Sequence, residues 1–349
     1  MRNATSMIVR ARAPLRMSFG GGGTDVPPYP QKFGGAVFST TIDKYAYCTV
    51  SERGSPNFLF KSTDLELSET YPDLQSLHYD GTLDLPKAVV KTICPNDTRK
   101  FELSLFSEAP PGSGLGSSSA LMVAIIRAVA DFLELHESNH SIAKLAYDLE
   151  RVQLRVKGGY QDQYACTFGG FNFIEFSSSG VTVNPLRING DILQELLASL
   201  VLIDTGKSRL SSNILSRQID SYERGDERVM ESLHEMKQIA FDMKSALLKG
   251  DLARFGELLG KDWEWKKRLD SMISNPQIES IYEKALEHGA LGGKVLGAGD
   301  GGHMLFFVEF TRKRELVKCL QLEGYPPIGF NFDSQGVVSW KLVEDGILA

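Results

Sequence analysis

Cysteine is scarce in this chain. Cys48, Cys94, Cys166 and Cys319 are four in 349 residues, and none forms a Cys-x-x-Cys pair. That pattern excludes a disulfide frame or a cysteine zinc site and fits reduced thiols in a cytoplasmic protein. The six histidines lack metal-ligand spacing, and only His303 lies beside a candidate motif. Met1 to Arg12 carries basic residues with no apolar run behind them, so no signal peptide is expected. The most apolar helical stretch is interrupted by Arg127 and is too short for a bilayer, so no membrane association is expected. Positive charge is not in excess either. The formal net charge of −6 argues against non-specific nucleic-acid binding, although not against a local basic pocket for a small anion. Low-complexity tails, internal repeats and obvious linkers are absent. So is the Gly-Lys-Ser/Thr ending of a Walker phosphate loop, since Ser117 follows Gly116.

What is present is the composition of an ordinary globular protein, 42% hydrophobic and 23% charged, long enough for two lobes or one large domain. The most informative stretch is Ala109 to Ala120, Ala-Pro-Pro-Gly-Ser-Gly-Leu-Gly-Ser-Ser-Ser-Ala, running into an apolar helix expected over Leu121 to Leu135. A glycine-rich loop leaves backbone N–H groups accessible, and the helix behind it adds the positive end of its dipole, which together suit phosphate oxygens. Gly112, Gly114 and Gly116 allow close approach of an anion, and Ser117, Ser118 and Ser119 supply hydroxyls. A flexible linker is the competing reading, but a linker would not end in an amphipathic helix.

Along the chain, Ile8 to Ala11, Ala36 to Val50 and Lys100 to Ser107 read as strands, with a loop over Arg16 to Pro30. Ser141 to Arg155 reads as a helix with Ser141 as N-cap, and 169–176 with 181–186 as a hairpin. Leu200 to Asp204 is a short apolar strand. Helical periodicity then covers Ser211 to about Arg268, with further helices over Ile278 to His288 and Thr311 to Glu323. Strands are expected at Lys294 to Leu296, Met304 to Phe310, Ile328 to Phe332 and Val337 to Leu342. Strands and helices mix without strict alternation, which favours an α+β protein over a Rossmann fold or a barrel. The composition shift divides the chain into lobes 1–190 and 191–349.

Four segments carry chemistry-bearing residues. They are Pro14-Leu15-Arg16 with Gly20-Gly21-Gly22-Gly23-Thr24-Asp25, the loop Pro110 to Ala120, Gly158-Gly159-Tyr160-Gln161-Asp162-Gln163, and Leu296 to Gly302. On residue chemistry alone, Asp162 serves equally well as a general base or as the cap of a short helix Gln163 to Phe168. Arg16 could be a surface ion pair, Asp25 turn chemistry, and Glu150 part of a solvated helix face with Asp148 and Arg151. In type and order the four segments resemble the GHMP kinases, over nearly the whole chain. Arg12 to Tyr29, with Gly34-Gly35-Ala36-Val37 and Thr41-Ile42-Asp43-Lys44-Tyr45, looks like the D-glycero-D-manno-heptose 7-phosphate kinases, and L-fucokinase domains are similar there.

The resemblance implies a GHMP kinase fold, with a ribosomal protein S5 domain 2-like first lobe and a ferredoxin-like α/β second lobe. It implies that Asp162 is the catalytic base and that Arg16 assists by stabilising charge on the attacking oxygen or the moving phosphoryl group. ATP would lie along Pro111, Gly112, Ser113, Gly114, Leu115, Gly116, Ser117, Ser118 and Ser119, with Mg²⁺ held by Ser119 and Glu150. Asp25, Gly22, Gly23, Thr24 and Gly159 would bind the sugar. Lys207 and Arg209, in a turn after the strand Leu200 to Asp204, would hold the substrate's own phosphate or would be simple surface charge. Asp300 departs from the glycine usual at its place and receives no catalytic role. The implied reaction is phosphorylation of the anomeric hydroxyl of heptose 7-phosphate to the 1,7-bisphosphate, for nucleotide-activated heptose and bacterial surface glycan. L-Fucokinase or another free-sugar 1-kinase is the alternative within the class, and a non-catalytic sugar or ATP sensor the alternative outside it. Monomer and homodimer both remain open.

Overall fold

The structure is a computed structural model, and it describes residues 7–52, 56–95, 99–206, 212–343 and 346–347. Its frame is a ten-stranded sheet built around two long antiparallel strands, Ile8–Gly20 and Gly35–Glu52. Both strands change character along their length. Val9, Ala11 and Ala13 alternate with half-buried neighbours, whereas the stretch from Ala13 to Gly20 is buried continuously. Alternation marks one covered face and continuous burial marks two. The helices Ser117–Phe132 and Glu227–Lys249 both pack on this doubly covered part. The expected loop from Arg16 is therefore strand as far as Gly20, with Arg16 opposite Thr41 in the ladder.

Around this pair, Gly35–Glu52 also meets Phe101–Ser107 and Asn172–Ser177, and the latter closes the expected hairpin with Gly180–Pro185. The strands Phe58–Ser62 and Leu67–Tyr71 extend one edge, and Val338–Val343 returns from the far end of the chain to pair with Ile8–Arg12. A second sheet is three-stranded and antiparallel, in the order Leu200–Asp204, His303–Val308, Ala290–Val295. Residue 190 begins the helix Gly190–Ser199 between the two sheets in sequence. The long helical stretch resolves into Ser212–Glu223, Glu227–Lys249 and Leu252–Lys267. Breaks fall where Asp226 and Asp251 turn their carboxylates onto free amides of the next helix, the ordinary chemistry of an N-cap.

Two helix starts differ from the sequence reading. The apolar helix begins at Ser117 rather than Leu121, so the serines form its first turn. The next helix is Asn139–Tyr147, and its cap is Ser138, whose hydroxyl accepts from the Ser141 amide at 3.1 Å. It then widens into a π-helical turn over Asp148–Gln153, an arrangement that recurs at functional sites. Of the expected strand at Ile328 to Phe332, only Phe332–Asp333 pairs in the sheet.

Candidate active site

The glycine-serine loop leaves the strand Phe101–Ser107 and enters the helix Ser117–Phe132. Gly112, Gly114 and Gly116 all have positive φ. At Gly114 a Cβ would also stand 2.5 Å from the Leu296 carbonyl oxygen, so this position requires glycine on two counts. The loop is thus pressed against the turn Gly297 to Gly302, and His303 fastens it by donating its amide to the Ser113 carbonyl at 3.0 Å. The Ser117, Ser118 and Ser119 amides occupy the first turn, where no intrahelical acceptor exists and the dipole is positive. Their hydroxyls have separate tasks. Ser117 Oγ donates to the Ala109 carbonyl at 2.7 Å and staples the loop.

Ser118 and Ser119 donate to the two oxygens of one carboxylate, Glu150 Oε1 and Oε2, each at 2.7 Å. Glu150 is 0% exposed, not part of a solvated helix face. Gln163 Nε2 also donates to Oε2 at 2.6 Å, and Arg151 lies 3.5 Å from Oε1. A buried carboxylate beside two hydroxyls is a set of hard oxygen donors, the type that suits Mg²⁺ shared with phosphates. Among the described residues no group of three or more His, Cys, Asp or Glu could hold a metal without such help.

Arg16 reaches the loop from the long strand. Its amide donates to Leu115 O at 2.9 Å, and its Nη1 donates to Gly114 O. Its Nε donates to Asp162 Oδ1 at 2.8 Å. Asp162 lies in the first turn of the helix Gln161–Phe168, whose N-cap is Tyr160 with no side-chain cap bond. The cap alternative therefore does not hold, and the carboxylate turns to Arg16 instead.

Asp25 is buried and accepts from the Gly23 and Gln161 amides, both at 3.0 Å. Burial pushes its carboxyl up, the nearby Asp162 charge adds to the rise, and the two amides oppose it. Gly159 packs so closely on Asp25 that a Cβ would fall 2.0 Å from Oδ2. Gly22, Gly23, Asp25 and Gly159 line the same cleft, of about 340 Å³, as Arg16, Asp162, Glu150 and the phosphate loop. Two residues expected there face elsewhere. Thr24 is fully buried and bonds the Gly21 and Ala36 carbonyls, and Leu115 turns into the core. Lys207 and Arg209 lie outside the described residues. Asp300 has φ +61° and accepts from Asn275 Nδ2 at 3.0 Å, away from the cleft lining.

Comparison with known proteins decides the family. The GHMP kinases N terminal domain matches residues 84–170 and the GHMP kinases C terminal domain residues 243–325. A D-glycero-alpha-D-manno-heptose 7-phosphate kinase of Campylobacter jejuni is 42% identical over 338 residues, 96% of this chain and 99% of that protein. The chain belongs to the GHMP kinases.

Among the solved GHMP kinases, a D-glycero-D-manno-heptose 1-phosphate kinase from Bacteroides thetaiotaomicron superposes with a TM-score of 0.81 at 36% identity, covering 95% of this chain and 98% of that one. An L-fucokinase/L-fucose-1-P guanylyltransferase of Bacteroides fragilis is 29% identical over 92% of this chain but only 37% of its own length. This GHMP kinase is an ATP-dependent sugar kinase, a phosphotransferase with an alcohol acceptor. Among its described residues, no helix is long and apolar enough to cross a membrane.

The cleft also holds two lysines that sequence reasoning missed, Lys266 and Lys294. Lys266 Nζ donates to Val295 O at 3.1 Å and to Gly297 O. Burial drives its ammonium well below the usual lysine range. Lys294 and Arg16 add to the fall, and Asp262 opposes it. The only signal in the sequence was for Lys294, a lysine inside the apolar run Gly-Gly-Lys-Val-Leu; Lys266 had none.

Proposed function

We propose that this sugar kinase transfers the γ-phosphoryl group of ATP to the anomeric hydroxyl of D-glycero-D-manno-heptose 7-phosphate, giving the 1,7-bisphosphate. The observation that carries the reading is the Arg16–Asp162 pair, 2.8 Å apart, in one cleft with the phosphate loop and the Asp25 turn. Asp162 takes the proton of the anomeric hydroxyl, which is more acidic than an ordinary alcohol. Arg16, tied to the loop through Gly114 O, stabilises charge on the attacking oxygen or the moving phosphoryl group. The loop Pro111 to Ser119 cradles the phosphates with its amides and the helix dipole. Asp25, Gly22, Gly23 and Gly159 receive the sugar hydroxyls. Ser119 and Glu150 would hold Mg²⁺, which would supply neutralisation of phosphate charge. Lys207 and Arg209 hold the 7-phosphate.

The similarity to a heptose 7-phosphate kinase along the full length of both chains supports this acceptor. The reaction belongs in the cytoplasm, where ATP is available, and feeds nucleotide-activated heptose for surface glycan. The test is ADP release with Mg-ATP over heptose 7-phosphate, mannose 6-phosphate, L-fucose, galactose, glucuronate and mevalonate. Turnover with heptose 7-phosphate alone is expected. Preference for a free sugar such as L-fucose would remove the phosphate role of Lys207 and Arg209 and make this a free-sugar 1-kinase.

A further inference from the structure

The long strand stops being a strand at Gly20. Its last ladder partner is Phe38, opposite Gly20, and the register is already irregular between Ser18 and Gly20. Beyond that point the backbone needs other partners. They come from the second layer. Asp262, on the helix Leu252–Lys267, accepts the Gly21 amide on Oδ1 at 3.0 Å. Its Oδ2 accepts Lys294 Nζ, from the strand Ala290–Val295, and Lys294 also donates to Phe19 O at 3.0 Å. The pair thus grips the chain at Phe19 O and Gly21 N, on either side of the residue where the ladder ends. The turn is wedged as well, since a Cβ on Gly21 would lie 2.0 Å from Ala36 O and one on Gly20 would lie 2.8 Å from Met243 Sδ.

Asp262 and Lys294 are 0% and 2% exposed. A buried ion pair is weak evidence for stability, because apolar residues of similar volume often serve as well or better. This pair has a geometric consequence instead. It sets where the turn carrying Gly22, Gly23 and Asp25 stands relative to the second layer. One helical turn further on, Lys266 holds the Gly297 carbonyl, and Gly297 packs on Gly114 of the phosphate loop. A single helix therefore references both halves of the cleft through side chains four residues apart.

We infer that Asp262 and Lys294 are positioning residues for the acceptor, holding the Phe19–Gly23 backbone so that Gly22, Gly23 and Asp25 meet the sugar. The inference rests on the proposed seat of the sugar at that turn. Its test is the double variant Asp262→Leu/Lys294→Met, which removes both charges and strands neither. Loss of charge-assisted backbone anchoring should raise KM for heptose 7-phosphate about tenfold. KM for ATP should change by less than about twofold, and Tm should stay within about 4 °C of the parent. An unchanged acceptor KM, an equal rise in both KM values, or a chain that no longer folds would each overturn the inference. Asp25→Asn run alongside separates the two layers of the argument. If it leaves the acceptor KM untouched, the seat itself is wrong. If it raises that KM while the double variant does not, only the positioning role of the pair is lost.

Discussion

Two buried ion pairs frame the cleft, and they are built differently. In Arg16–Asp162 the arginine is 3% exposed and the carboxylate 17%, and among the described residues Arg16 is the only hydrogen-bond partner of that carboxylate. In Asp262–Lys294 both partners are sealed and both carboxylate oxygens are used, one by an amide and one by the ammonium. Asp162 lines the cleft with one oxygen that has no partner among the described residues, so it can take a proton from something that enters, whereas both Asp262 oxygens are buried and already hold a donor. Burial and charge alone do not mark a general base. An unpartnered carboxylate oxygen on a residue that lines the cleft does.

The sharpest way to break this comparison is to make the same substitution in both pairs. Asp162→Asn should lower kcat about a thousandfold. It should leave ATP binding near the parent value by calorimetric titration, and because Arg16 loses its counter-ion beside an open cleft rather than in a sealed site, it should lower Tm by less than Asp262→Asn does. Asp262→Asn should do the reverse, because it strands the Lys294 ammonium in a dry site. Denaturant titration should show a stability loss of about 3 kcal/mol, with kcat within about tenfold of the parent. If Asp162→Asn keeps turnover, the open pair is not the base and the contrast collapses. A smaller effect tests Glu150, another carboxylate of the cleft. Glu150→Gln keeps one acceptor oxygen, turns the other into an NH2 donor and removes the charge, so the Mg²⁺ concentration for half-maximal rate should rise about tenfold. An unchanged Mg²⁺ titration would make Glu150 an anchor for the helix N-terminus and nothing more.

The open pair was legible in the sequence and the sealed pair was not, for a physical reason. Arg16 and Asp162 sit in glycine-flanked segments, and glycine at Gly114, Gly116 and Gly159 is enforced by contacts as short as 2.0 Å. Such constraints leave a local signature. The same holds for the glycine-serine loop and for the strand Gly35–Glu52, rich in β-branched and aromatic residues. Asp262 and Lys294 carry no local signature. Asp262 reads as one more charge on an amphipathic helix, and its meaning arises from a Gly21 amide 241 positions away. Thr24 misled in the opposite sense, since a threonine in a glycine turn looks like a ligand group, yet its hydroxyl closes the turn on Gly21 O and Ala36 O. The strands Phe58–Ser62 and Leu67–Tyr71, and the helix Asp84–Ile93, were likewise unmarked by any motif.

Lys266 gives the finest test, because it stands between the two pairs and belongs to neither. It is held well below the usual lysine range, first by burial, then by the Lys294 and Arg16 charges, with Asp262 opposing. Between that lowered value and the ordinary value of 10.5, the unfolded chain binds a proton at this lysine that the folded chain does not. Stability must then rise with pH across that window, and fall as pH drops toward the folded value. Lys266→Met removes the proton and the slope together. It also leaves Val295 O and Gly297 O without their donor, so the variant should be less stable near pH 9 by about 1–2 kcal/mol. The informative quantity is the slope, read as Tm from about pH 6 to about pH 9 at fixed ionic strength. A flatter profile in Lys266→Met than in the parent supports a neutral amine holding the turn behind the phosphate loop. Parallel profiles would mean that Lys266 is charged when folded, and the cleft floor would then be a cationic surface that meets the phosphates directly.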